Sequence, residues 1–365
     1  MRVLVVNAGS SSLKLDLLDG DDTVQGHESI EVSDGEWDSA DVAEAVRDLG
    51  TPDAVGHRVV HGGREFTMPV RIDDEVMERL DALTDLAPLH QPKSLAGIAA
   101  VRAELPDVPA VACFDTAFHA HLPEPAATYA LPQEWRAEYG IRRYGFHGLS
   151  HAYATRRAGE LAGGASSVRR AVVCHLGAGA SLAAVLDGRS VDTTMGFTPL
   201  EGLVMATRSG SVDPGLLLWL HTHAGIAVAE LERALEHRSG LRGLAGTPDL
   251  KAILASAADG DDAATLARDT YLHRLRAGIA SMTAALGGLD VLVFTGGVGE
   301  GAAGVRQAAT DGLAYLGTGV DPRRNAAVDG DADITADGAR VRTFVVAARE
   351  DVEIAAGVRQ VLVAA

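Results

Sequence analysis

The chain has 365 residues, 47% of them hydrophobic and only 4% aromatic, so it is long enough for two domains with cores built mainly from Val, Leu and Ala. Its formal net charge of -18 argues against nucleic acid or an anionic membrane as a partner, because either would select a basic face. Two cysteines form no disulfide framework or zinc knuckle, and no apolar run suits a signal peptide or the ~20 residues of a membrane span, so we expect a soluble, cytoplasmic protein.

The chain opens with a predicted β-hairpin. An apolar run over residues 3 to 6 and a returning run over residues 13 to 18 flank the polar tip Asn-Ala-Gly-Ser-Ser-Ser. Gly9 permits a ligand to approach the backbone closely, while Asn7, Ser10 and Ser12 supply donors or metal-directed oxygens. The tip is therefore either a phosphate-binding turn or an ordinary solvent-exposed turn.

The next elements carry charged residues at unusual places. Helices are predicted over residues 41 to 49, 73 to 86 (with Asp73 as the N-cap) and 93 to 104. Arg58 lies inside a strand predicted near residues 54 to 60, where an arginine needs a partner or a function. Asp115 follows the buried strand predicted over residues 110 to 114, and such strand ends are where open α/β sheets usually place their chemistry.

A loop that contains Tyr144, Phe146 and His147 precedes the next helix, for which Ser150 is the predicted cap. His147 and His151 have the i, i+4 spacing of a metal-binding pair. No acidic residue lies between them as in H-E-x-x-H, so a metal site is the weaker interpretation.

Residues 171 to 188 repeat the opening stretch part by part: apolar strand, glycine-rich tip, Ser-Leu, apolar strand and Leu-Asp-Gly. The second copy is one residue shorter between the serine and the final glycine. Chance similarity of two Ala- and Val-rich hairpins is the alternative to internal duplication. Duplication predicts two similar α/β halves whose tips hold one phosphate chain from both sides.

The rest of the chain alternates helices and strands. Helices are predicted over residues 214 to 223 and 228 to 237, and another follows the cap Asp249. The longest predicted helix covers residues 262 to 286, with Leu266 on its apolar side, and we expect it to lie in the core or at a dimer interface. Strands are predicted over residues 290 to 294 and 343 to 346, before a C-terminal helix. Residues 299 to 304 spell G-x-G-x-x-G, but a Rossmann fold would place this motif near the start of a domain, so we favour glycine backbone packed against adenine and ribose.

Seven stretches together resemble the motifs of the acetate kinases, in the order of that family and over nearly the whole chain. They are Asn-Ala-Gly-Ser-Ser-Ser-Leu-Lys from residue 7, Gly-His-Arg-Val-Val-His-Gly-Gly from 56, Leu-Ala-Pro-Leu-His from 86, Phe-Asp-Thr-Ala-Phe-His from 114, Tyr-Gly-Phe-His-Gly-Leu-Ser-His from 144, Thr-Arg-Ser-Gly from 207 and Phe-Thr-Gly-Gly-Val-Gly-Glu from 294. The resemblance implies an α/β fold with two ribonuclease-H-like domains, of the actin and sugar-kinase type, around a central nucleotide cleft. The expected domains are residues 1–119 plus 352–365, and residues 120–351, the second for nucleotide binding and dimerisation. The implied activity is reversible phosphorylation of acetate to acetyl phosphate by a homodimer, with ATP as co-substrate and Mg²⁺ or Mn²⁺ as cofactor.

The resemblance also implies roles for individual residues. The catalytic residues are Arg58, Asp115, His147 and Arg208. The substrate-binding residues are His90, Val60, Leu89, Phe146 and Pro199, of which the last four form the pocket for the substrate methyl group. The nucleotide-binding residues are Ser10, Ser12, Lys14, His175, Gly177, Gly179, Asp249, Leu250, Lys251, Gly296, Gly297 and Gly299. The residues on the magnesium side are Asn7 and Glu350.

Four positions depart from the acetate kinase pattern, which has Asn at Ala178, Gly at Ala206, Arg at Lys251 and Asn at Gly301. All four lie on the nucleotide or phosphate side, and lysine is a point charge where arginine binds bidentately. We therefore expect an active short-chain carboxylate kinase whose affinity for, or choice of, phosphoryl donor is altered. The alternatives are a kinase that prefers propionate or butyrate, and a nucleotide-responsive protein without turnover.

Overall fold

The computed structural model describes residues 1–9, 12–31, 37–88, 90–164 and 167–363. The chain divides into two compact units: Met1–Ala120, Phe146–Tyr153 and Arg349–Ala365 form the first, and His121–Gly145 and Ala154–Ala348 form the second. Compared with the expected domains, the first unit also contains residues 146–153, and its C-terminal segment begins at Arg349 instead of residue 352.

Strands and helices alternate along both units. The strands are β1 Val3–Ala8, β2 Ser12–Leu18, β3 Val24–Glu31, β4 Ala54–Val59, β5 Val70–Arg71, β6 Ala110–Phe114, β7 Arg170–Leu176, β8 Ala180–Leu186, β9 Arg189–Thr193, β10 Val291–Thr295, β11 Ala332–Asp333 and β12 Arg342–Val345. The helices are α1 Ser39–Leu49, α2 Asp74–Asp81, α3 Gln91–Glu104, α4 Glu124–Ala127, α5 Gln133–Glu138, α6 Gly148–Leu161, α7 Pro214–Thr222, α8 Val228–His237, α9 Gly240–Ala245, α10 Leu250–Ala258, α11 Asp262–Leu286, α12 Gly296–Gly301, α13 Ala303–Asp311, α14 Pro322–Ala326 and α15 Glu350–Val363. Short 3-10 turns occur at Thr84–Leu86, Ala117–His119 and Ala314–Leu316.

Within the described residues the strands form two six-stranded sheets with the same connectivity. The first has the order β3-β2-β1-β4-β6-β5, and the second, read from the equivalent edge, is β9-β8-β7-β10-β12-β11. In each sheet three adjacent strands are parallel: β1, β4 and β6 in the first and β7, β10 and β12 in the second. The prediction of two similar α/β halves is therefore confirmed at the level of strand pairing.

The hairpin tips of the two halves differ by one residue. Gly9 N–H donates to Ser12 O at 2.9 Å, whereas Gly177 N–H donates to Gly179 O at 2.9 Å. The second tip is thus one residue shorter, and Ser12 and Ser181, which the sequence comparison matched, do not occupy equivalent positions. Ser12 precedes Leu13, the first paired residue of its returning strand, whereas Ser181 follows the first, Ala180.

Aspartate caps set the starts of the predicted helices. The Asp73 carboxylate accepts a hydrogen bond from Val76 N–H at 2.8 Å at the start of α2. The Asp249 carboxylate accepts from Lys251 N–H at 2.9 Å at the start of α10. Each satisfies a backbone donor that has no partner inside its helix, and both predicted caps are confirmed.

Other sequence predictions differ from the structure. Ser150 does not precede α6 but is its third residue, because Gly148 begins the helix. Leu266 is 59% exposed, and α11 instead buries Ala267 and Tyr271 in its first half. Among the helices of the described ranges, none combines the length and the apolar composition that a membrane span requires.

Candidate active site

Three polar side chains lie at the carboxyl ends of the parallel strands of the first unit. Asn7 lies near the end of β1, Arg58 near the end of β4, and Asp115 directly after β6. Gly56 of β4 lies against Ile354 of α15. Because alternate residues of a strand share a face, Arg58 lies on the same, α15-covered face of the sheet.

The Arg58 guanidinium holds this cluster together. Its Nε and Nη2 donate to the two carboxylate oxygens of Asp115 at 3.1 and 2.5 Å, and its Nη1 donates to Asn7 Oδ1 at 3.2 Å. Nε also lies 3.7 Å from Oε2 of Glu350, the first residue of α15. The bidentate pair with Asp115 fixes the plane of the guanidinium and therefore the direction of its remaining donors.

The cluster is buried, and Arg58 keeps its positive charge there. The side chain of Asp115 is 1% exposed and that of Arg58 17% exposed. Burial acts to lower the pKa of Arg58, but the carboxylates of Asp115 and Glu350 outweigh it, and the pKa is raised above its ordinary value. Arg58 is therefore a fixed cation at the place where open α/β sheets bind ligands.

His147 lies in the turn that leads into α6. Its backbone is in the left-handed region, with φ of 56°, which histidine tolerates better than most residues. Gly148 N–H donates to the backbone oxygen of Asp115 at 2.8 Å. The turn that carries His147 is thereby attached to the strand end that carries Asp115.

Gly148→Ala is expected to displace this turn, because a Cβ at residue 148 would overlap the Asp115 carbonyl oxygen. The free energy of unfolding should fall by about 1 to 3 kcal/mol, as for other overpacked sites, and turnover should fall because His147 and Asp115 both shift. Denaturant unfolding and kcat measure the two effects. The matched control is Gly304→Ala in α13, whose new Cβ would meet no atom within 4 Å and which should be neutral or stabilising. Equal behaviour of the two variants would contradict the close contact at Gly148.

The residues expected around the substrate methyl group fall in both units. Val60 and Phe146 belong to the first unit and are 5% and 1% exposed. The Phe146 ring packs edge-on against His61, with ring centroids 5.5 Å apart. Pro199 belongs to the second unit, and Leu89 lies outside the described residues.

Other predicted residues belong to the first unit or lie outside the described residues. His90 directly precedes α3 and is partly buried. Ser12 and Lys14 lie in β2 of the first unit, where Lys14 is exposed. Ser10 lies outside the described residues.

Arg208 belongs to the second unit and has a looser environment than Arg58. Its Nη1 donates to the Pro199 carbonyl oxygen at 2.7 Å, and its Nε lies 3.9 Å from Glu236 Oε2. Burial lowers the pKa of Arg208, with Glu236 opposing the effect. Because this ion pair is longer than that of Arg58 with Asp115, more of the Arg208 charge is available to an anionic ligand.

A cavity of about 690 Å³ lies in the second unit at the carboxyl ends of β7 and β10, which is the size of a small-molecule site. Its lining residues are Gly177, Ala178, Ala206, Leu241, Pro248, Asp249, Leu250, Lys251, Leu254, Tyr271, Gly297, Val298, Gly301 and Ala302. Gly296 has φ of 79°, and a Cβ there would approach the Leu176 carbonyl oxygen to 2.8 Å, so this turn requires glycine. The cavity occupies in the second sheet the place that the Arg58 cluster occupies in the first.

The cavity contains part of the predicted nucleotide site. The predicted residues that line it are Gly177, Asp249, Leu250, Lys251 and Gly297. Those of the second unit outside this lining are His175, Gly179, Gly296 and Gly299. Sequence reasoning missed Leu241, Leu254 and Tyr271, because an apolar residue on a helix gives the same signal whether it faces a core or a ligand.

All four departures from the acetate kinase pattern line this one cavity: Ala178, Ala206, Lys251 and Gly301. Ala206 N–H donates to Ala178 O at 3.1 Å, so two of them are also in direct contact. Asp249 and Lys251 are the charged residues of this lining. The Asp249 carboxylate caps α10, so Lys251 is the charged side chain that can bind a ligand in the cavity.

The residues expected on the magnesium side both contact Arg58. Within the described ranges, no group of three or more His, Cys, Asp and Glu side chains is arranged to hold a metal ion. Arg58 with Asp115 and Glu350 sums to a formal charge of one minus, and Glu350 lies beyond hydrogen-bond distance of Arg58. One carboxylate and one amide oxygen in a net negative cluster fit Mg²⁺, which proteins often bind together with substrate phosphates.

Comparison with known proteins agrees with the motifs. The sequence profile of the Acetokinase family matches residues 37–356. An acetate kinase of a Nostoc species is 48% identical over 318 residues, which cover 87% of this chain and 78% of the relative.

Two solved structures are similar over 99% of both chains, each with a TM-score of 0.90 and 35% sequence identity: an acetate kinase of Porphyromonas gingivalis and a propionate kinase of Francisella tularensis. The predicted α/β fold with two domains of the actin and sugar-kinase type is confirmed. The chain belongs to the acetokinase family.

Proposed function

We propose that this protein is an acetate kinase that transfers the γ-phosphoryl group of ATP reversibly to acetate, giving acetyl phosphate and ADP. The observation that carries the proposal, beyond family membership, is the buried cation Arg58 fixed by Asp115 and Asn7 at the strand ends of the first unit. Phosphoryl transfer needs positioning and cationic stabilisation more than covalent help. Arg58 supplies the cation, and its bonds to Asp115 and Asn7 fix its position.

The proposed reaction is a direct in-line displacement. A carboxylate oxygen of acetate forms a bond to the γ-phosphorus as the bond from that phosphorus to the β,γ-bridging oxygen breaks, and ADP leaves with the electron pair. No proton transfer is required, because acetate is ionised at neutral pH. Arg58 and Arg208 bind the acetate carboxylate and the equatorial phosphoryl oxygens, and His147 donates a hydrogen bond to the phosphoryl group in flight.

Mg²⁺, or Mn²⁺, is the proposed cofactor, with Asn7 and Glu350 as the residues that would hold it. The ion would neutralise charge on the donor phosphates. Support comes from the excess negative charge of the Arg58 cluster and from the freedom of Glu350 from hydrogen bonds to Arg58.

The acyl acceptor is proposed to be acetate, with propionate and butyrate as the nearest rivals. The buried Val60 and Phe146 favour a short apolar group. One methylene changes binding by only about 1 to 3 kcal/mol, so a preference for propionate differs from this proposal in degree.

The phosphoryl donor is where this chain is expected to differ from its family. Three of the four changed positions in the cavity have small side chains, and the fourth replaces arginine with Lys251. We propose weaker ATP binding than a site with the family residues provides, or use of another donor such as pyrophosphate. An ordinary ATP affinity without preference for another donor would contradict this.

Lys251→Arg is expected to lower KM for ATP by about 3- to 10-fold, equivalent to about 0.7 to 1.4 kcal/mol, because a guanidinium binds phosphate bidentately or stacks. KM for acetate should not change. Steady-state titration of ATP measures the effect, with Lys93→Arg in α3 as the same substitution outside the cavity. An unchanged or higher KM for ATP in Lys251→Arg would mean that this side chain does not meet the nucleotide.

A nucleotide-responsive protein without turnover is the second candidate, favoured by Ala178 and Lys251 in the cavity. It predicts nucleotide binding without product. The retained Arg58, Asp115, His147 and Arg208 oppose it.

A homodimer in the cytoplasm is also proposed. Helices α7 and α8 expose Leu216, Leu218, Trp219 and Val228 at 46%, 67%, 53% and 66%. A second copy of the chain is the proposed partner for this apolar surface, in line with the dimerisation role expected for the second domain. Light scattering at micromolar concentration tests it, and a monomer would contradict it.

The central test traps the acyl phosphate with hydroxylamine, using acetate, propionate or butyrate with ATP or pyrophosphate. We expect hydroxamate that depends on both acetate and a phosphoryl donor and is abolished by chelation of the divalent cation. Nucleotide binding with no hydroxamate from any acid would overturn the kinase assignment and favour the second candidate.

A further inference from the structure

The turn that carries His147 is held from both sides by one short segment of the first unit. After the turn, Gly148 N–H donates to the backbone oxygen of Asp115 at 2.8 Å. Before it, Nε2 of His119 lies 3.1 Å from the backbone oxygen of Phe146. Asp115 and His119 belong to the end of β6 and the 3-10 turn that follows it.

The hydrogen bond of His119 has a defined direction. A carbonyl oxygen only accepts, so Nε2 of His119 must carry the proton and donate. The side chain is fully buried, and burial lowers the pKa of His119 to about 4, with the bond to Phe146 opposing the shift. The imidazole is therefore neutral at pH 7, with its proton committed to the turn.

The ring of His119 is also held in place. It packs edge-on against the rings of Phe118 and His151, with centroid distances of 5.4 and 5.5 Å. Two aromatic contacts and a directed hydrogen bond leave the donor little freedom to move.

We propose that His119 is a positioning residue, whose Nε2–H donates to the Phe146 carbonyl and keeps His147 in its left-handed conformation at the reacting phosphoryl group. The proposal rests on the proposed kinase function. His119 does not touch a substrate, and its role is to hold the peptide that precedes His147.

The anchoring of this turn matters because the positive φ of His147 is unfavourable for a residue other than glycine. A residue other than glycine at φ of 56° is maintained only where its neighbours are fixed. A shift of about 1 Å in a positioning group can reduce turnover about 100-fold. Loss of the His119 donor would release one of the two anchors of the turn.

His119→Phe and His119→Gln separate this role from simple packing. Phenylalanine keeps the ring contacts but has no donor, whereas glutamine places an amide N–H near the position of Nε2 but has no ring. His121→Phe is the control, since it makes the same substitution at an exposed histidine two residues further along the chain.

For His119→Phe we expect kcat to fall about 10- to 100-fold with KM for ATP unchanged, because the nucleotide cavity belongs to the other unit. His119→Gln should retain kcat within about fivefold of wild type despite the lost ring, and His121→Phe should match wild type. A crystal structure of His119→Phe should show His147 displaced or out of the left-handed region. This readout does not depend on activity.

The reverse order, with His119→Phe fully active and His119→Gln impaired in proportion to its lost stability, would overturn the positioning role. So would an unmoved His147 in the crystal structure of His119→Phe. Failure of the wild-type protein to form acyl phosphate would instead overturn the proposed function, and the two failures are therefore distinguishable.

Discussion

Arg58→Ala is expected to lower kcat by about 10³-fold or more, the range found when a cation that stabilises transferring phosphoryl oxygens is removed. The variant loses a permanent charge whose direction is fixed by two bonds to Asp115 and one to Asn7. Arg58→Lys should lose at least about 100-fold, because a lysine cannot hold the bidentate geometry with Asp115. Steady-state hydroxamate formation per folded molecule measures both.

A loss of folding must be separated from a loss of chemistry at this site. Removal of Arg58 takes the bidentate cation away from the buried carboxylate of Asp115, and breaking a buried ion pair typically costs about 3 to 5 kcal/mol of folding free energy. The double variant Arg58→Leu/Asp115→Leu should recover much of this stability and still lack activity. Arg102→Ala, which removes a largely exposed ion pair with Asp74, is the arginine control in the same unit. Substantial turnover by the stable double variant would show that Arg58 does not carry the chemistry.

Arg208→Ala is also expected to lower kcat by about 10³-fold, but with little loss of stability. Its closest carboxylate, Glu236, lies 3.9 Å away, and burial already raises the pKa of Glu236, so this group can take up a proton once its partner is gone. Thermal unfolding and kcat together measure the prediction.

Arg170, in the same unit, is expected to contribute to stability and not to turnover. It binds Asp290 through Nε at 3.0 Å and Nη2 at 2.6 Å. Arg170→Ala should therefore reduce stability and leave kcat unchanged. If Arg208→Ala lost stability and kept turnover, Arg208 would be a structural residue and the proposed role would be wrong.

The strand ends of the first unit were predictable from sequence because they combine two signals. Arg58 is charged inside an apolar strand, which costs free energy unless a partner is nearby, and Asp115 directly follows a fully apolar strand, where open α/β sheets usually place their chemistry. The structure joins them in one bidentate pair. Arg58 lies on the face of the sheet that α15 covers. This placement depends on how α15 packs against β4, which no local sequence pattern predicts.

The sequence did not predict β3 and β9, the third strands of the two units in chain order, and the reason is physical. β3 lies at a sheet edge and buries little besides Ile30, so it lacks the apolar alternation by which strands are recognised. β9 is likewise an edge strand. Leu266 was misplaced because α11 buries mostly small residues near its start, where alanine gives a weak signal.

The cavity of the second unit shows where sequence and structure complement each other. The sequence alone identified four departures, scattered between Ala178 and Gly301, on the nucleotide side of the family pattern. The structure places all four in one lining. The sequence did not predict the apolar residues of that lining. Leu241, Leu254 and Tyr271 lie on three different helices, which only the fold brings together.

The proposed acetate kinase activity is tested most directly in the reverse direction, by supplying acetyl phosphate and ADP with Mg²⁺ and measuring ATP by luminescence. We predict that ATP forms in proportion to acetyl phosphate, that it is lost in folded Arg58→Leu/Asp115→Leu, and that it persists in Arg102→Ala. A folded wild-type protein that binds ADP and forms no ATP from acetyl phosphate would contradict the proposed acetate kinase activity.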